Sequence, residues 1–137
     1  MSMSTHIELF CALHFVLIGL SHLFRHKEWA EVINKLERLE SGGAFLSGMV
    51  SLTMGSVIVV FHNVWTEASV VLTVIGWAMV LKAAMWLLFP ALGKKSLAQG
   101  QAMSSNKLRV AGGALIALAV YCMICALFFS SEASISA

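Results

Sequence analysis

His14, His22 and Lys82 stand inside long apolar runs, where an ionisable side chain is costly unless it is paired, hydrated or put to use. At about 1.5 Å per helical residue, His14 lies about 10 Å below the outer end of its run, too deep for an imidazole to reach the surface. Thr53, Gly76, Trp77, Tyr121 and Cys122 fall at similar depth on other runs. A neutral His14 hydrogen-bonded to Tyr121 or Thr53 would be a structural tie between helices. Used functionally, the same group would be a proton relay or a ligand site. His22 and Lys82 share a deeper layer, roughly 21–23 Å down, with no carboxylate beside them. Lys82 has a stem long enough to snorkel to the headgroups, where Glu28 or Glu31 would meet it.

Metal and redox chemistry find less support in the spacing. Bis-histidine haem needs facing ligands at matched depth on two helices, and His14 and His22 share one helix. His6 and His62 do match in depth, at the outer surface beside Glu8 and Glu67, where a metal is conceivable and plain solvation is the alternative. His22 and His26 have the i,i+4 spacing of a zinc motif without its Glu and further ligand. Cys122 and Cys125 form a CxxC inside a lipid-facing span, where thiolates are disfavoured. With Cys11 they make no disulfide framework. These residues assign no catalytic group, no metal and no cofactor.

Four apolar segments must position the polar groups: 7–24, 44–61, 68–89 and 110–129. Each is long enough to cross a bilayer as a helix, and in lipid a helix satisfies its own backbone. The composition agrees: 59% of residues are hydrophobic and 12% charged, more apolar than a soluble domain of this size tolerates. The expected architecture is an all-α membrane protein of four transmembrane helices in a single domain, 1–137. The N-terminus lacks the basic region and cleavage site of a secretory signal, so the first segment is expected to stay. The small net charge of +2 and the lack of a basic, aromatic-rich run argue against nucleic acid.

Orientation follows from Lys and Arg. Arg25, Lys27, Lys35 and Arg38 lie between the first two spans, and Lys94, Lys95, Lys107 and Arg109 between the last two. The positive-inside rule makes both connections cytoplasmic and puts both termini outside. In the first connection Trp29, Val32, Ile33, Leu36 and Leu39 recur at helical spacing, predicting a short amphipathic helix between helices 1 and 2. It lies either on the membrane surface or against the protein's own cytoplasmic end. Its four acidic residues offset its four basic ones, which argues against an anionic-lipid switch. Ser41-Gly42-Gly43 is expected to turn the chain into the second span, and Pro90 to stop the third. Residues 91–106 read as a flexible loop. In the outer loop Thr66 suits an N-cap, with Glu67 at the positive end of the third span. Trp65 and Trp86 sit where interfacial aromatic belts form.

Small residues mark places for close helix contact. Ser47, Ser51 and Gly55 recur every four residues with Gly48 beside them, and Gly112, Gly113 and Ala117 mark the last span. Packing within the chain and self-association are both open to such faces. Sliding the sequence by 64 residues aligns Val16-Leu17 with Val80-Leu81, Leu23 with Leu87 and Gly48 with Gly112. Few other identities appear, so mainly the hydropathy plan repeats, as a parallel duplication about the membrane normal would produce.

The run Gly19-Leu20-Ser21-His22-Leu23-Phe24 followed by Trp29, then His62-Asn63-Val64-Trp65, Gly76-Trp77 and Pro90, resembles a small bacterial family of uncharacterised four-helix integral membrane proteins. The resemblance spans roughly residues 7–92. Where those relatives often place a proline before the tryptophan, this chain has His26-Lys27-Glu28. The resemblance implies a bacterial inner membrane protein and supplies no activity. The leading expectation is a non-enzymatic accessory or self-associating module in contact with lipids and a membrane partner or second copy. A small transporter or proton-conducting protein using His14, Tyr121 and Lys82 is the alternative. A haem- or quinone-binding subunit using His6 and His62, or His14, is the third.

Overall fold

Hydrocarbon offers the backbone no hydrogen bonds, so each apolar run closes its own as a helix. The computed structural model describes residues 2–65, 68–101 and 105–135. Among these the chain is entirely α-helical: α1 (Met3–Phe24), α2 (His26–Arg38), α3 (Ser41–Phe61), α4 (Val70–Leu88), α5 (Pro90–Gln101) and α6 (Ser105–Ile135). Four of them, α1, α3, α4 and the Asn106–Leu127 stretch of α6, are long and apolar enough to cross a membrane. Thr66 and Glu67, read above as a cap and a dipole partner, lie outside the described residues.

Three local features depart from the expectations. First, α1 starts four residues before its apolar run, because Ser2 caps it by accepting the Thr5 N–H at 3.2 Å. Thr5 and Glu8 therefore lie within a regular helix rather than at a frayed surface end. Second, the turn into α3 is made by Glu40, whose φ of 52° is left-handed, while Ser41, Gly42 and Gly43 are already helical. Gly43 instead permits a close approach, since a Cβ there would collide with the Leu36 carbonyl. Third, the expected loop from 91 onward begins as the helix α5. Pro90 stops α4 and also opens α5, where its missing N–H is not needed. Leu97 of α5 is buried in a small cluster with Ala44 and Trp86, and that packing outweighs the polar composition around it.

The spans pack as two antiparallel pairs, α1 with α6 and α3 with α4, and contacts between the pairs are sparse. Small residues set both crossings. A Cβ on Gly19 would lie 2.8 Å from the Gly112 carbonyl oxygen, and one on Gly55 would lie 3.0 Å from that of Gly76. The small-residue face of α3 is thus consumed inside the chain, with Gly48, Ser51 and Gly55 all buried and Ser47 at its edge. Gly112 is likewise buried, whereas its neighbour Gly113 is exposed and meets nothing within 4 Å.

The 64-residue offset that is faint in residue identity is clear in burial. The buried residues Thr5, Glu8, Ala12, Gly19, Ala44, Gly48, Gly55, Ile58 and His62 correspond to Ser69, Leu72, Gly76, Ala83, Leu108, Gly112, Ala119, Cys122 and Ala126, which are buried too, whereas the buried Cys11, Phe15, Gly43 and Ser51 correspond to Ile75, Met79, Lys107 and Leu115, which are not. The order α1–α2–α3 is repeated as α4–α5–α6, and each span packs mainly on a span of the opposite half. The α2 helix has no buried residue. It rests against α5, α3 and α6, with Ile33 and Leu36 half-buried and Val32 and Leu39 exposed.

Candidate functional site: a buried carboxylate and imidazole

The two pairs meet most closely at the end carrying His62. There Cys11, Ala12 and Phe15 of α1, Ile58 of α3, Leu72 of α4, and Ala119 and Cys122 of α6 form one apolar cluster. Beside it lies a polar group drawn from three parts of the chain. His62 Nε2 stands 3.0 Å from Glu8 Oε1, and Ser69 Oγ donates to the same oxygen at 2.6 Å. Glu8 is 1% exposed and His62 0%. With Glu8 ionised, Nε2 carries the proton and donates it. The Thr73 hydroxyl lies 3.4 Å from His62 Nδ1. Its oxygen accepts the Val64 N–H at 3.1 Å and is within reach of the carbonyls of Val64 at 2.7 Å and His62 at 2.9 Å. Thr73 therefore fixes the loop that presents His62. The Tyr121 hydroxyl donates to the Ala68 carbonyl, tying α6 to the same corner.

One atom is left over. Glu8 Oε2 is buried and has no hydrogen-bond partner, the single such side-chain atom among the described residues. A carboxylate oxygen in that position costs free energy comparable to a lost hydrogen bond or more. The 64-residue correspondence makes the cost informative. The opposite half fills the equivalent positions with Leu72 and Ala126, so the fold closes these two places there with apolar side chains. Glu8 and His62 are an addition to the architecture, not a demand of it.

The residues singled out from sequence are spread apart. His14 makes no hydrogen bond. Its ring contacts Phe10, with centroids 4.6 Å apart, in a groove that also contains Thr53. Thr53 donates to the Met49 carbonyl at 3.0 Å and Tyr121 to Ala68, so the expected tie from His14 to either hydroxyl is not made. Lys82 lies over the Trp86 ring, 4.4 Å from its centroid, and Glu28 pairs with Arg25 at 2.9 Å instead. His14, Thr53, Tyr121 and Lys82 thus form no common site. His6 bonds the Ser2 carbonyl of its own helix and is exposed, so it does not join His62. His22 stacks on Trp29, with centroids 4.1 Å apart, while the Trp29 indole donates to Ser21 at 2.7 Å. Cys122 and Cys125, expected to face lipid, are buried, as is Cys11, and all three are free thiols. No group of three or more His, Cys, Asp or Glu among the described residues is arranged to hold a metal.

Hydropathy hides this candidate site. Glu8 reads as an interruption of its span and His62 as a loop residue just beyond one. The available signal was periodicity: Thr5, Glu8, Ala12 and Gly19 share one face of α1, which places the acid inward.

Four apolar crossings around a buried polar corner define a small multi-pass α-helical membrane protein. Residues 71–126, which cover α4, α5 and most of α6, match a family described as an uncharacterized protein conserved in bacteria (DUF2065). The match falls on the second half of the chain and overlaps the motif resemblance only between 71 and 92. No curated protein and no solved structure matches the chain.

Proposed function

We propose that the chain is a non-enzymatic accessory module of the bacterial cytoplasmic membrane, with both termini outside, that associates with a second copy or another membrane protein through α6. The supporting observation is the division of the small residues. Those of α3 and Gly112 are spent on contacts within the chain, whereas Gly113 meets nothing within 4 Å and Ala117, one turn on, is also exposed. A small-xxx-small face left open to lipid lets another helix approach closely. The eight Lys and Arg outside the spans support the orientation. Gly113→Leu tests the reading. It should leave the melting temperature unchanged and abolish cross-linked assembly, whether with a second copy or with another membrane protein. Unchanged assembly would remove this face of α6 from consideration.

A second reading, a proton-conducting protein, draws on the unpartnered Glu8 Oε2 beside His62. Its test is a pH-driven flux in proteoliposomes that Glu8→Gln removes while the protein still folds. No flux above lipid background would end that reading.

A further inference from the structure

We propose that the groove between α1 and α3 binds a lipid-soluble quinone, with His14 hydrogen-bonded to a carbonyl of its ring. Because the two helix pairs touch sparingly, α1 and α3 leave between them a groove of about 380 Å³. That volume is within the range of small-molecule sites. Its walls are Phe10, His14 and Ile18 on one side and Val50, Thr53 and Val57 on the other. Almost the whole surface is apolar, and the imidazole is the exception that has no hydrogen-bond partner in the chain.

Depth narrows the occupant. His14 lies about 16 Å from the start of α1 and Thr53 about 18 Å from the start of α3, near the middle of helices that are about 32 Å long. Phospholipid headgroups and ester carbonyls stay at the interface and offer His14 nothing at that level. An imidazole without a partner at mid-membrane is expensive. A molecule that satisfies it must dissolve in the acyl layer, carry a hydrogen-bonding group into it, and fit flat against an aromatic ring. A quinone head combines these properties: its carbonyl accepts from the imidazole N–H, and its ring lies along Phe10, which already contacts His14.

The opposite half again serves as a control. At the 64-residue offset Phe10, His14 and Thr53 correspond to Val74, Ala78 and Ala117. The imidazole is therefore confined to one of two equivalent seams, whereas Ile18 and Val57 correspond to Lys82 and Tyr121, so the other seam has an aromatic ring of its own. Packing alone, which operates in both, does not call for a histidine. This inference is independent of the association through α6.

The experiment is binding of short-tailed benzoquinone and naphthoquinone probes to the full chain in nanodiscs of defined phospholipid. Saturable uptake of about one quinone per chain is expected, with an azido-quinone label confined to α1 and α3. His14→Phe should weaken binding at least tenfold, and His14→Gln, which keeps a donor, should weaken it less. Val50→Phe, which fills the groove from α3 without touching His14, should block it while leaving the melting temperature within a few degrees. Non-saturable partitioning, equal binding by wild type and His14→Phe, or labelling elsewhere would overturn the proposal. So would recovery of phospholipid alone from the labelled groove.

Discussion

Replacing Glu8 and His62 together should harm the fold less than replacing His62 alone. His62→Ala strips Glu8 Oε1 of its imidazole partner at 3.0 Å and leaves a carboxylate held only by Ser69, with Oε2 already unpartnered. Removing one member of a buried pair in this way costs about 3–5 kcal/mol, because the remaining charge stays buried and uncompensated. Glu8→Leu with His62→Ala installs the residues that the other half uses, Leu72 and Ala126. No charge is then stranded. Two smaller costs remain: the Ser69 hydroxyl loses its acceptor, about 1 kcal/mol, and the missing imidazole leaves a void worth about 1 kcal/mol at roughly 24 cal/mol per Å³. The double variant should therefore lie about 2 kcal/mol below wild type and about 1–3 kcal/mol above the single one. Equilibrium unfolding in mixed micelles, run as a double-mutant cycle, reads both differences. A double variant as unstable as His62→Ala would show that this layer needs its polar pair and that the correspondence with Leu72 and Ala126 has no energetic meaning.

Reporter fusions at Met1 and Ala137 should both read outside; a cytoplasmic reading at either would overturn the orientation argued from the eight loop Lys and Arg. Gly55→Leu should destabilise the chain by about 2 kcal/mol or more, since even a Cβ would sit 3.0 Å from the Gly76 carbonyl. Equal melting temperatures for Gly55→Leu and Gly113→Leu would contradict the packing described. Gly43→Ala should be as damaging as Gly55→Leu, because the obstacle is the Leu36 backbone, and thermal unfolding would show it. Trp29→Phe should cost about 1 kcal/mol by losing the bond to Ser21 while keeping an aromatic ring on His22, and should leave the spans in place.

What can be read from the sequence follows the range of the forces involved. Hydropathy acts residue by residue along one helix, so the four spans are legible to within a few residues. The α5 helix is not, because its stability comes from Leu97 meeting Ala44 and Trp86, partners 53 and 11 positions away. Glu8 and His62 both read as surface groups, since nothing local reveals that α1 extends to Met3 and that α6 covers the site. Helix rotation is the other missing quantity: His14, Thr53 and Tyr121 do share a depth, yet Tyr121 turns toward Ala68, and Thr53 bonds its own helix.

The pairing of α1 with α6 has a consequence for synthesis. Of the four spans, α1 leaves the ribosome before the other three yet packs on α6, so its main interface waits until α6 has been made. The α3–α4 hairpin, by contrast, closes locally. During that interval α1 holds Glu8 in the membrane without its imidazole, which arrives 54 residues later at the far end of α3. A carboxyl group without a partner is costly in the membrane, and that cost holds the start of α1 near the interface. The arrival of His62, followed within a few residues by Ser69, is therefore the event that lets α1 settle to its final depth, before α6 exists to lock it there.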